Sequence, residues 1–131
     1  MDERNAPIFI MSMNQEDLLL EFKENIKFDY NLKKKSWFNI GGNTKIYFKA
    51  ENLKELIRFL KIIGNKEKLF ILGGGSNTLI TDKTYDGIVI KLSNNFNNIS
   101  LLSNNIIIAG SAVSDKSLSE FAMDNSLGGF E

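Results

Sequence analysis

The stretch LFILGGGSNTLITD, Leu69 to Asp82, carries the residue types and spacing most able to do chemistry. Gly73, Gly74 and Gly75 interrupt an apolar run, and Ser76 and Asn77 follow at once. Without Cβ atoms, successive amides can adopt positive φ and converge on one anion, while the Ser76 and Asn77 side chains add donors beside them. Each charge-assisted N–H bond contributes about 1.5 to 3 kcal/mol, so a pyrophosphate could be held here without a lysine. The pattern is not G-x-x-x-x-G-K-[ST], because no lysine follows, which argues against a P-loop NTPase. Nor is it G-x-G-x-x-G, and the following NTLITD is β-prone, so no helix dipole is expected behind the loop. A nest of amides and a tight turn needing glycine for its dihedral angles both remain open on this stretch alone.

Other candidates have plainer readings. Gly41 and Gly42 in SWFNIGGNTKIYF read as a bulge or turn ahead of a strand. Trp37, Phe38, Tyr47 and Phe48 read as core rather than as a stacking platform. Gly110 and Ser111 mark either a close backbone approach to a ligand or a bulge. Lys33, Lys34 and Lys35 read as a solvated loop. The pairs Asp82 with Asp86, and Asp115 with Glu120, suit solvation or capping better than acid–base catalysis.

Composition limits what any site could do. The chain has no histidine and no cysteine, which removes an imidazole base, a thiolate nucleophile, a disulfide and a thiolate or imidazole zinc site. Chemistry would then fall to a cofactor. Sixteen Lys and Arg balance sixteen Asp and Glu, so neither a general nucleic-acid binder nor an anionic-membrane binder is expected, and any anion site must be local. The opening MDERNAPIFIMSM places acidic residues before a short apolar run, unlike a secretory signal. No run approaches the roughly 20 apolar residues of a membrane helix. A soluble, cytoplasmic protein is expected.

The elements that must position the glycines follow from periodicity. Residues 1–13 read as a loose leader and 14–131 as one domain of mixed α and β class. Asn14 caps a helix whose apolar residues are Leu18, Leu19, Phe22 and Ile26. TKIYFKA, Thr44 to Ala50, is a strand; Asn52 with Glu55 opens a helix with the stripe Leu53, Leu56, Ile57, Leu60 and Ile63, ended by Gly64. KLFIL, Lys68 to Leu72, lacks alternation and is expected to be a parallel strand covered on both faces, completing a βαβ unit. The glycines then lie in the loop at a strand's carboxyl end, where ligands sit in such units. Strands follow at Gly87 to Leu92 and Asn105 to Val113, with Asn-rich loop between them and turn chemistry at Asp86-Gly87 and Asn104-Asn105. Ser114 opens a last helix with Leu118, Phe121 and Ala122 inward and Gly128 near its end.

SWFNIGG at Ser36 to Gly42, LGGGSNTLITDKTYDGIVI at Leu72 to Ile90, and IIIAGSAVSDKSLSEFAMDNSLGGFE at Ile106 to Glu131 together resemble the amino-terminal part of the UDP-N-acetylenolpyruvoylglucosamine reductase family. The likeness covers nearly everything from Ser36 onward. It implies an FAD-binding domain of the vanillyl-alcohol-oxidase (PCMH) type, with NADPH reducing the flavin and the flavin passing hydride to the enolpyruvyl group of a UDP-sugar, a cytoplasmic step of peptidoglycan synthesis. By matching position, Gly73, Gly74, Gly75, Ser76 and Asn77 would hold the FAD pyrophosphate. Gly110 and Ser111 match the family's Ala-Gly-Ala stretch near the flavin, with serine as a departure. Asn43 and Thr44 stand where Pro and Ala are common. Family members carry a further stretch and a separate substrate domain with the catalytic serine and acidic residue. The resemblance therefore implies an FAD-binding domain incomplete at its carboxyl end, with the UDP-sugar bound only by the intact protein, no catalytic residue in this chain, weak FAD retention and self-association. The rival readings are another FAD-dependent oxidoreductase of the same fold and a noncatalytic nucleotide- or phosphate-binding module.

Overall fold

The structure, a computed structural model, describes residues 14–65 and 67–130; the expected leader lies outside them. Helix α1, Gln15–Phe22, starts at Asn14 through a reciprocal capping box with Asp17. Its residues Leu18 and Phe22, one turn apart, are buried. Ile26 does not continue this helix: Lys23 takes φ of 48°, a 3-10 turn follows, and Ile26 opens strand β1, Ile26–Asn31. Strand β2, Asn43–Ala50, is central. Helix α2, Leu53–Ile63, is capped by Asn52 at its start and Gly64 at its end, as the sequence implies. Strands β3, Leu69–Leu72, and β4, Tyr85–Leu92, complete a sheet of order β1-β2-β4-β3. Within it β1 is antiparallel to β2, while β2, β4 and β3 run parallel. The βαβ connection through α2 thus skips one place, which β4 fills.

Two clusters flank the sheet. On one face Phe48 stacks on Phe59 of α2 with ring centroids 3.9 Å apart, and Phe22 meets both rings edge-on; Ile26, Ile46, Ile88 and Ile90 join them. On the other face Tyr47, Val89 and Leu72 pack with Leu32 from the chain that crosses between β1 and β2. Tyr47 and Phe48 are core, as expected. Trp37 and Phe38 are not, being 75% and 57% exposed in the turn that precedes β2.

Strand β3 departs from its expected two-sided burial. It is the sheet edge, and Leu69, Phe70 and Ile71 are exposed while Leu72 alone is buried. The α2 stripe is open at Leu53, Ile57 and Leu60 but packs on the core through half-buried Leu56 and Ile63, while Phe59, outside the stripe, is the fully buried residue. Asp86 and Gly87 lie inside β4 rather than in a turn, and residues 77–82 form no strand. The Asn-rich stretch contains strand β5, Ile99–Ser103, which pairs antiparallel with β6, Ile106–Ala109, across the Asn104-Asn105 turn. Helix α3, Asp115–Asp124, is capped by Ser114 and ends at Asn125, short of Gly128. Ala122 is buried there, with Leu118 and Phe121 half-buried.

Candidate functional site

The three parallel strands place the loops after β2, β3 and β4 at one end of the sheet. Gly73 to Asn77 form the loop after β3, and no helix follows them. The loop is fixed from two sides. The Lys91 ammonium, from the end of β4, donates to the Gly73 carbonyl at 2.6 Å. The Trp37 N–H donates to the Gly75 carbonyl at 3.2 Å, and the Ser36 hydroxyl donates to the Thr78 carbonyl at 3.1 Å. In a trans peptide the C=O and the next N–H point in opposite directions. With the Gly73 and Gly75 carbonyls turned onto protein donors, the amides of Gly74 and Ser76 therefore face away from those donors. Among the described residues, no backbone amide from Gly73 to Asn77 donates a loop hydrogen bond. Gly73, Gly74, Ser76 and Asn77 are exposed, so their amides are open to solvent or to a ligand.

The three glycines differ in what demands them. Gly75 has φ of 79°, and a Cβ there would collide with the Lys35 carbonyl oxygen, so the protein itself needs it bare. Gly73 and Gly74 have ordinary φ, and a Cβ on either would meet nothing within 4 Å. Neither turn geometry nor packing asks for glycine there. Their bareness leaves open space in front of unbonded amides, which fits close approach by a phosphate ester.

The surrounding charge is positive. Lys91 and Lys49 are register partners on adjacent strands, and the Lys35 ammonium lies 5.6 Å from the Tyr47 ring centre. Burial, reinforced by Lys35 and Lys49, holds the Lys91 ammonium below the usual lysine pKa. Lys49 is paired with Glu51 at 2.6 Å, and bonds from Lys49 and Ser93 hold the Glu51 carboxyl below its usual value. Lys33 and Lys34 are exposed as expected, but Lys35 is half-buried in a 3-10 turn against this face. Beneath it, burial and then Tyr30 push the Tyr47 phenol up to about 12, and its hydroxyl has no partner among the described residues.

The second predicted pair lies apart from the glycine loop. Gly110 borders a cleft of about 420 Å³ with Glu51, Asn52, Asn95, Phe96 and Ile108. A Cβ on Gly110 would strike the Phe96 carbonyl oxygen, and its N–H donates to Asn98 at 2.8 Å. An internal close approach therefore accounts for this glycine. Ser111 is exposed in the turn that follows. Gly41 and Gly42 also serve an internal approach, since a Cβ on either would clash with Ile80 or the Asp82 carbonyl. Both pairs share the carboxyl side of the sheet only in part: Gly110 sits by the loops after β2 and β4, whereas Gly41 and Gly42 precede β2. The lysine at 91 escaped sequence reasoning because its signal lies in a neighbouring strand, 18 residues from Gly73.

Comparison with known proteins agrees with a dinucleotide cofactor. The chain is 62% identical over 111 residues to a UDP-N-acetylenolpyruvoylglucosamine reductase of Pelagibacter ubique, covering 85% of this chain and 37% of that protein. It is 44% identical over 111 residues to the reductase of the same name from Rickettsia massiliae, covering 83% and 37%. The chain thus spans little more than a third of the length of these curated relatives. The solved UDP-N-acetylenolpyruvylglucosamine reductase (MurB) of Thermus caldophilus shares the fold, with a TM-score of 0.56 at 24% identity over 79% of this chain and 34% of that one. The family model described as FAD binding domain matches residues 44–130, which takes in β2, the glycine loop and everything through α3. On that match, covering well over half its length, the chain belongs to the FAD binding domain family.

Proposed function

We propose that this chain is the FAD-binding part of a UDP-N-acetylenolpyruvoylglucosamine reductase, with Gly73, Gly74, Gly75, Ser76 and Asn77 holding the FAD diphosphate. The observation that carries the reading is the row of unbonded amides in front of two glycines that neither dihedral angle nor packing requires. Bound FAD supplies the hydride chemistry that a chain without histidine or cysteine cannot supply. The chain's own part is to bind and orient: anchored carbonyls turn the Gly74 and Ser76 amides outward, and Ser76 and Asn77 add side-chain donors. Gly110 and Ser111 are assigned to the edge of the flavin site, on the resemblance of their stretch alone. In the whole protein NADPH is the reductant, the enolpyruvyl UDP-sugar the substrate and the UDP-N-acetylmuramate product a peptidoglycan precursor. The reading places it in the cytoplasm. No helix of the described residues is long and apolar enough to cross a membrane.

Titration of the chain with FAD, ATP and UDP-N-acetylglucosamine, followed by calorimetry and flavin fluorescence, tests the assignment. Preference for FAD, with weak affinity, is expected. Preference for ATP would instead make the loop a general nucleotide module, and no binding of any of the three would remove the assignment.

A further inference from the structure

We propose that Lys91 is a positioning residue for the cofactor site: by holding and polarising the Gly73 carbonyl, it presents the Gly74 amide to the diphosphate. This rests on the FAD reading above. Lys91 reaches the loop from β4, and its ammonium lies 2.6 Å from the Gly73 oxygen. That carbonyl shares a peptide plane with the Gly74 N–H, so fixing one direction fixes the other. A cation on the oxygen also draws electron density from the peptide and makes the opposite N–H a stronger donor.

The placement of Lys91 is poorly explained by stability. It is half-buried, its register partner is Lys49, and burial first, then Lys35 and Lys49, hold its ammonium below the usual lysine pKa. Lys49 has Glu51 as a counter-ion, whereas Lys91 makes no ion pair among the described residues. A cation kept at electrostatic cost next to a ligand loop suggests a functional role. The remaining donors of the ammonium are not used on protein acceptors among the described residues. Positive charge behind the loop also favours an anion in front of it.

The test is binding of FAD and of inorganic pyrophosphate by the wild-type chain and by Lys91→Met, Lys91→Gln and Lys91→Arg. Thermal melting and the NMR shift of the Gly74 amide are recorded alongside. Lys91→Met is expected to melt close to the wild-type temperature, because relief of the charge's burial and of its repulsion by Lys35 and Lys49 offsets the lost bond to Gly73, yet to bind both ligands about tenfold more weakly. Its Gly74 amide shift should no longer respond to pyrophosphate. Lys91→Arg should restore binding, and Lys91→Gln, a neutral donor, should restore it partly. A Lys91→Met protein that binds as tightly as wild type, or whose affinity falls only in step with its melting temperature, would overturn the proposal. If Lys91→Met fails to fold, loss of affinity in a folded Lys91→Gln decides in its favour and unchanged affinity against it. Failure of the wild type to bind FAD would instead overturn the reading on which the proposal rests.

Discussion

Replacing Gly74 and Gly75 separately should divide ligand cost from folding cost. Gly74→Ala fits open space at an ordinary φ, so the fold should be unchanged or stabilised by up to about 1 kcal/mol through loss of unfolded-state freedom. FAD affinity should fall, since the new methyl occupies the open space that a phosphate would approach. Gly75→Ala meets a positive φ and the Lys35 carbonyl and should destabilise by about 1 to 3 kcal/mol. Chemical denaturation and FAD titration of the same two proteins separate these outcomes; equal stability losses in both would contradict the distinction. Tyr47 offers a pH handle beneath the same face. Its folded pKa near 12 exceeds its unfolded value of about 10. The unfolded state therefore releases its proton first as pH rises, and stability falls between those two values, by no more than about 1.4 kcal/mol per pH unit. Urea melts from pH 9 to 12 should show that decline, and Tyr47→Phe should flatten it.

Elements that carry their own local signals were legible in the sequence. The α1 and α2 caps at Asn14 and Asn52, the β2 and β4 runs and the Asn104-Asn105 turn all depend on neighbours in the chain. Strand β1 was missed although Ile26, Phe28 and Tyr30 alternate with Lys27, Asp29 and Asn31. The helical spacing of Leu18, Phe22 and Ile26 competed for the same residues, and the break at Lys23 has no glycine or proline to mark it. The glycine loop was legible as the bare segment at the carboxyl end of β3, but the donors that anchor its carbonyls were not, because Lys91 and Trp37 reach it through tertiary contact. Strand β3 misled because an apolar run does not reveal whether a neighbour exists to cover it. The clearest test at this scale is Phe59, fully buried against Phe48 and Phe22. Phe59→Ala should cost about 3 to 5 kcal/mol, whereas Leu53→Ala, on the same helix but exposed, should cost under about 0.5 kcal/mol. Similar losses from the two substitutions would mean that Leu53 packs against the core as Phe59 does.

Taken whole, the described residues leave an apolar margin along one edge of the sheet. Strand β3 has a partner on one side only, so its other edge presents unpaired backbone groups. Leu69 and Ile71 share one face of that strand and are 42% and 58% exposed; Ile57 and Leu60 of α2 are also exposed. No lysine, proline or bulge lies within Leu69–Leu72 to discourage pairing with another chain. Two copies joining at this margin would bury apolar surface at about 25 cal/mol per Å² and would satisfy edge amides as well. Because net charge is zero, long-range repulsion does little to keep copies apart. Self-association in the micromolar range is therefore expected for the chain, visible as a concentration-dependent sedimentation coefficient. Ile71→Lys places a charge in the middle of the open edge without removing a buried contact, and it should shift the protein toward monomer while leaving FAD affinity and melting temperature nearly unchanged. A wild-type chain that stays monomeric as concentration rises, or association that survives Ile71→Lys, would show that this margin does not join copies.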